Sequence, residues 1–191
     1  MWGLCWILSF NMNKNILNKT KVYLVGPMQY ENGRGWREDI TPHLRAMGIT
    51  VFDPYIKPFV DDVEEDEAAR ERLKQQMDNG DFDAVADRMK KVRNFDLRLC
   101  DLSDFIIAHI NPAVASWGSA EELVTNVRAK KPIFLSIQGG KKKTPLWIMG
   151  MLPHKYIYDS PAAILEMIQS IDRGDKPIDS ERWKLLKENY R

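Results

Sequence analysis

Three features of the sequence predict an α/β domain built on a parallel sheet. Short apolar runs of strand length recur along the chain, longer amphipathic segments separate them, and Gly or Pro closes several of the runs. Val22-Tyr23-Leu24-Val25 is the first strand candidate, closed by Gly26-Pro27. A helical segment from about Trp36 to Met47 follows and stops at Gly48, a residue suited to the left-handed conformation that ends helices. Ile49-Thr50-Val51-Phe52 is the second strand and ends at Asp53-Pro54. Phe105-Ile106-Ile107-Ala108 and Pro132 to Ile137 are near-continuous apolar runs, the pattern of strands covered on both faces. Between them, Gly118 to Lys130 is helical, and Tyr156-Ile157-Tyr158 is a short fifth strand. Ser160-Pro161 reads as an N-cap followed by proline at the first helical position. Ile164, Leu165, Ile168 and Ile171 give the helix that follows its apolar face.

Strands joined through helices require right-handed crossovers, and their ligand crevice lies beyond the carboxyl ends of the strands. That rule directs attention to the Gly26-Pro27 turn, the Asp53-Pro54 turn and the loop from Ile110 to Gly118. Residues 1–20 read as an N-terminal tail, because Met1 to Phe10 is apolar but shorter than the ~20 residues a spanning helix needs and lacks a basic leader. Residues 176–191 read as a C-terminal helical tail beyond a domain spanning 21–175. Residues 55–94 exceed a short crossover: an acidic run from Asp61 to Glu67 gives way to Lys90-Lys91-Val92-Arg93. This insertion reads either as two solvated helices broken near Asn79-Gly80 or as a lid or oligomer arm over the crevice.

Composition narrows the function. With 44% hydrophobic and 29% charged residues, global disorder is excluded. Lys plus Arg number 28 against 27 for Asp plus Glu, so nothing draws the chain in bulk to a nucleic acid polymer or an anionic membrane. Two cysteines, Cys5 and Cys100, and three scattered histidines argue against a disulfide scaffold and against a metal centre. The expectation is a reduced, cytoplasmic protein with neither metal nor cofactor.

The most informative stretch runs from Asp104 through Gly118-Ser119-Ala120-Glu121-Glu122 to Lys131-Pro132. It places carboxylates in the first turn of a helix that follows a buried strand, where free amides and the helix dipole favour the ionised form. Such a group is suited to nucleophilic attack, and equally to plain helix capping.

Four segments resemble the nucleoside 2-deoxyribosyltransferase family, which includes the related 2'-deoxynucleoside 5'-phosphate N-hydrolases. Lys21 to Met28 is similar to that family's opening strand and turn. Phe95-Asp96-Leu97, with Asp104 eight residues after Asp96, resembles its aspartate-bearing helix and third strand. Gly118-Ser119-Ala120-Glu121-Glu122 resembles its Gly-Thr-x-x-Glu signature, and Lys131-Pro132 falls nine residues after Glu122, where the family has Lys-Pro. The resemblance implies a single flavodoxin/Rossmann-like domain with about five parallel strands and helices on both faces. It further implies Glu122 as the nucleophile at the anomeric carbon and Asp96 as the group that assists protonation of the departing base. Tyr23, Gly26, Pro27 and Met28 would line the pocket together with Gly118 and Ser119. Pro145 to Met149 resembles the segment a neighbouring subunit lends to the pocket, which implies a homodimer or larger assembly with Trp147 and Met149 at the shared site.

Two departures bear on the substrate. Six residues before the nucleophile, where the transferases carry an aspartate, this chain has Ser116, as the N-hydrolases do. A hydroxyl beside helix-terminal amides suits a phosphate, whereas an aspartate repels it. Trp147 stands where the transferases place a sugar-binding asparagine. The implied substrate is therefore a nucleoside or its 5'-monophosphate, and the reaction is transfer or hydrolysis at the N-glycosidic bond. The competing reading is a non-catalytic nucleotide-binding module, because a fold does not fix a function. Of the remaining features, Gly139-Gly140 with Lys141 to Lys143 lacks Walker spacing and reads as a solvated turn. Arg34 and Arg37 flank the first crevice turn and suggest either phosphate contact or a surface role, and Cys100 reads as a small apolar packing residue.

Overall fold

The computed structural model describes residues 14–28, 32–56 and 67–177. The opening ten residues, the acidic run from Asp61 to Glu67 up to residue 66, and the helical tail expected at 176–191 from residue 178 onward lie outside the described residues. Five strands form one sheet: β1 (Lys21–Val25), β2 (Thr50–Phe52), β3 (Phe105–Ile110), β4 (Ile133–Ile137) and β5 (Ile157–Tyr158). All neighbours pair in parallel, in the order β2-β1-β3-β4-β5. This order reverses direction between β1 and β3, the place where doubly wound sheets open a crevice.

Six α-helices accompany the sheet among the described residues: α1 (Asn32–Ala46), α2 (Glu67–Asp78), α3 (Phe82–Leu102), α4 (Trp117–Arg128), α5 (Leu146–Met151) and α6 (Pro161–Asp172). None is long and apolar enough to cross a membrane. The pleat of β1 sorts its side chains between two cores. Val22 and Leu24 face a cluster with Trp36, Ile40 and Leu44 of α1 and Ile164 and Ile168 of α6. Tyr23 and Val25 face the other cluster, with Cys100 of α3, Leu123 of α4 and partly buried Ile148 of α5. Burying each such aliphatic side chain contributes about 1.5–3 kcal/mol.

Local signals explain the element ends. Gly48 has φ +75°, as its place after α1 requires, and a Cβ there would meet Asn18 Oδ1 at 2.2 Å. Ser160 caps α6 by accepting from the Ala163 amide, and Pro161 opens the helix. Lys131 reaches back to the carbonyls of Cys100, Asp101 and Ser103 and so closes the carboxyl end of α3.

Three sequence expectations need correction. Residues 14–20 are not a tail: Leu17 is fully buried and its amide donates to Asp172 Oδ1 at 2.9 Å. Lys19 and Thr20 add backbone bonds to Gly48 and Thr50, so this segment ties α6 to β2. The segment from Pro145 onward, given no element in the sequence reading, is largely helical, since Leu146–Met151 forms α5. Tyr156 belongs to a 3-10 turn, His154–Tyr156, and the fifth strand starts at Ile157.

Candidate active site

The carboxyl ends of β1 and β3 open into a cleft of about 490 Å³, within the usual range for small-molecule sites. Gly26 and Met28 line it from the turn after β1, and Ser116, Gly118, Ser119 and Glu122 from the start of α4. Asp96 of α3 is the second carboxylate of the lining among the described residues.

Glu122 is 9% exposed, and its Oε1 accepts a 2.8 Å hydrogen bond from Tyr23 Oη. Tyr23 itself is fully buried. Burial, then the carboxylates of Glu122 and Asp96, push its phenol well above the ordinary value, so it remains a donor at neutral pH. Glu121, the neighbouring carboxylate, takes no part in this arrangement. It forms an exposed ion pair with Arg93 of α3, which holds its carboxyl below the usual range. The two adjacent glutamates are thus divided by helix geometry: about 100° of rotation sends one to the cleft and the other to the α3 flank. Asn126, one turn on, donates to the Glu122 carbonyl at 2.8 Å. Cys100 packs in the core beneath, and burial followed by the Glu122 charge pushes its thiol up to about 12.

Ser116 is the N-cap of α4. Its Oγ accepts from the Ser119 amide at 3.4 Å and donates to Ser119 Oγ at 2.8 Å. The hydroxyl at the cleft is therefore engaged with Ser119, which is itself 5% exposed.

The turn after β1 is held from behind. A Cβ on Gly26 would lie 2.7 Å from the His109 carbonyl oxygen, so no larger residue fits. Arg37 donates to the carbonyls of Gly26 at 3.0 Å, Leu24 at 3.4 Å and Gly33, and its Nε lies 3.9 Å from Asp53 Oδ1. It is fully buried. Both sequence readings of Arg37, phosphate contact and surface role, are thereby overturned: its two terminal nitrogens are committed to the carbonyls of Leu24, Gly26 and Gly33. Tyr55 braces the same turn, with its hydroxyl donating to the Met28 carbonyl at 2.8 Å and Arg34 stacked 4.4 Å over its ring.

Pro27 does not line the cleft but a neighbouring cavity. Trp147 and Met149 are not brought to the cleft within one chain; Trp147 is 82% exposed on α5. Conversely, the hairpin of α2 and α3 forms a cleft wall that the solvated-helix reading did not foresee. Arg70 and Leu73 of α2 and Met89 and Val92 of α3 line it. The signal was present as spacing: Met89, Val92 and Asp96 fall three and four residues apart, on one helix face. Trp117, 87% exposed, stands at the rim and was also missed. No group of three or more potential metal ligands occurs among the described residues.

A family model described as nucleoside 2-deoxyribosyltransferase like matches residues 19–89. The match covers β1, α1, β2 and α2 and ends before Glu122. It agrees with the resemblance read from the sequence. Among solved structures, a 2-deoxyribosyltransferase from the psychrotolerant bacterium Bacillus psychrosaccharolyticus is 20% identical over 76% of this chain and 90% of its own, with a TM-score of 0.53. A conserved protein from Enterococcus faecalis is 15% identical over 80% of this chain and 98% of its own, with a TM-score of 0.52. At these identities the likeness is one of fold, the parallel five-stranded sheet with its helices. No curated protein matches the chain significantly.

Proposed function

Proceeding from that likeness to nucleoside 2-deoxyribosyltransferase-like proteins, we propose that the chain cleaves or transfers the N-glycosidic bond of a nucleoside or nucleoside 5'-monophosphate, with Glu122 as nucleophile. The observation that carries the reading is the buried Glu122 carboxylate, anchored through one oxygen by Tyr23 in a cleft shared with Asp96. Tyr23 orients the carboxylate through Oε1, and Oε2 is the oxygen assigned to attack the anomeric carbon.

The attack forms a C–O bond as the C–N bond breaks, and the bonding pair leaves with the base. Asp96, in its acid form, gives the base a proton. The products of this half are a glycosyl ester on Glu122 and the free base. Water or a second base then attacks the same carbon from the vacated face, Asp96 takes the proton of that nucleophile, and Glu122 departs as carboxylate. Two inversions give net retention. The charge that develops on the sugar sits beside the carboxylate, where a low-dielectric cleft strengthens the attraction.

The 5' end of the substrate is assigned to the start of α4. Ser116 and Ser119 form a hydroxyl pair beside the first amides of that helix, a setting that favours phosphate. A second copy of the chain is assigned to lend Trp147 and Met149 to the cleft, which accounts for the exposure of Leu146 and Trp147 on α5.

The test is incubation with a panel of nucleosides and their 5'-monophosphates, with and without an acceptor base, read by chromatography for free or exchanged base. Release or exchange that depends on Glu122 supports the reading. Tight binding without any base release overturns it in favour of a nucleotide-binding module.

A further inference from the structure

A second cavity, of about 230 Å³, adjoins the cleft without sharing its carboxylates. Pro27 lines this cavity while Gly26 and Met28 line the cleft, and Val114 lines it while Ala115 and Ser116 line the cleft. The two spaces therefore flank the same turn and the same loop. Trp36, His109, Asn111 and Gln138 supply the polar groups of the second space.

Their hydrogen bonds define what it can hold. Ser136 Oγ donates to the Ala108 carbonyl at 3.3 Å, so toward His109 Nδ1, 2.9 Å away, it acts as acceptor. We accordingly assign the ring proton to Nδ1, which makes Nε2 the acceptor. Burial, then the Arg37 charge, keeps the imidazole below its usual pKa and so neutral at pH 7. Asn111 Oδ1 accepts from the Ala113 amide at 2.9 Å, which leaves its Nδ2 as a donor. Trp36 is 8% exposed, and its indole N–H has no hydrogen-bond partner among the described residues. A buried donor left unmade costs about 1–3 kcal/mol, so an acceptor supplied by a ligand would relieve a standing penalty. The Trp36 and His109 rings, 5.7 Å apart and tilted by 57°, add aromatic walls.

Donors on Trp36 and Asn111 beside an acceptor on His109 match a molecule that carries C=O next to N–H. Among the described residues no side chain of the lining is charged, so none of them would replace the hydration an ion loses. We propose that this cavity is a second ligand site, one that takes a small, uncharged, planar lactam of the kind a free nucleobase presents. The site stands on its own side chains; only the choice of a base as probe rests on the glycosidic chemistry proposed above.

The experiment is calorimetric titration of the full chain with uracil and with hypoxanthine. One binding event is expected with at least one of them, retained in Glu122→Ala. Trp36→Phe keeps the ring but removes the N–H and should weaken binding about three- to ten-fold, the loss of one neutral hydrogen bond. Because Trp36 packs against the core, Val114→Trp provides an independent check: from a half-buried loop position it fills the cavity and should abolish the binding. Absence of binding with both bases overturns the proposal. So does binding that survives Val114→Trp, since the base would then sit elsewhere. Binding without any turnover sinks the glycosidic reading and leaves this site standing, so the two failures are distinct.

Discussion

Tyr23 and Glu122, 99 positions apart, share a buried 2.8 Å hydrogen bond that joins the first strand to helix α4. One end is a phenol held protonated by burial and by the carboxylates near it; the other is the carboxylate assigned to attack. Tyr23→Phe removes the bond without changing the shape of the core. A hydrogen bond to a charged group is worth about 1.5–3 kcal/mol, so kcat should fall by ten- to a hundred-fold. Steady-state kinetics that leave kcat unchanged would show that the phenol orients nothing the reaction needs.

Glu122→Ala should abolish base release by orders of magnitude while the chain stays folded. Glu121→Ala should leave both rate and melting temperature near those of the unmodified protein, because its ion pair with Arg93 is exposed and screened. A dead Glu121 variant beside an active Glu122 variant would move the nucleophile by one position.

Ser116 tests the charge of the substrate. A 5'-monophosphate should be preferred to its nucleoside, and Ser116→Ala should lower kcat/KM for the monophosphate by about ten- to a hundred-fold, with little change for the nucleoside. The alanine also removes the N-cap of α4, at a cost of about 1 kcal/mol in stability. Ser116→Asp separates the two effects, since aspartate caps helices well yet repels a dianion. Stability should be kept while preference turns to the nucleoside. Equal kcat/KM for both substrates in the unmodified chain would end the phosphate assignment.

Helix α5 leaves Leu146 89% and Trp147 82% exposed, large apolar surface beside half-exposed Met149. Sedimentation at micromolar concentration should show a dimer or larger species, and Trp147→Glu should shift it to monomer with loss of activity. A monomeric unmodified chain removes the shared-site assignment.

Alkaline pH should loosen the core at Cys100. Burial and the Glu122 charge raise its thiol from 9.0 to about 12, so the folded chain keeps a proton that the unfolded chain releases. The associated stability is complete below pH ~9 and is lost as pH rises toward 12, with a slope on the order of 1 kcal/mol per pH unit. Thermal melts between pH 8 and pH 11 should fall less steeply for Cys100→Ala than for the unmodified chain. Parallel curves would exclude the thiol as the cause.

How much of this was legible beforehand follows from the range of each interaction. The strands, α4, α6 and the α6 cap were readable because burial on both faces, N-capping by Ser160 and the positive φ of Gly48 are consequences of neighbours within a few residues. Ser116, by contrast, read as a phosphate contact, and its N-cap role appears only in the structure. The choice of Glu122 over Glu121 came from the register of the family resemblance, and helix rotation sends the two side chains to different environments. Other features depend on residues distant in the chain. Arg37 read as either a phosphate contact or a surface cation, but the carbonyls of Leu24 and Gly26 and the carboxylate of Asp53 converge on it only once β1, α1 and β2 are assembled. Leu17 looked like tail, but docking of its segment between α6 and β2 buries it completely. Which residues of the 55–94 insertion wall the cleft was not readable for the same reason: the spacing of Met89, Val92 and Asp96 marks a shared helix face, but only packing against α4 makes that face look into the cleft. The sequence by itself determined the elements, because those rest on local periodicity and capping, while the candidate chemistry came from the resemblance of its motifs to a known family. Tertiary structure alone decided which charges are buried, which walls enclose the cleft and which cavity adjoins it, because desolvation is set by everything that surrounds a group, whatever its distance along the chain.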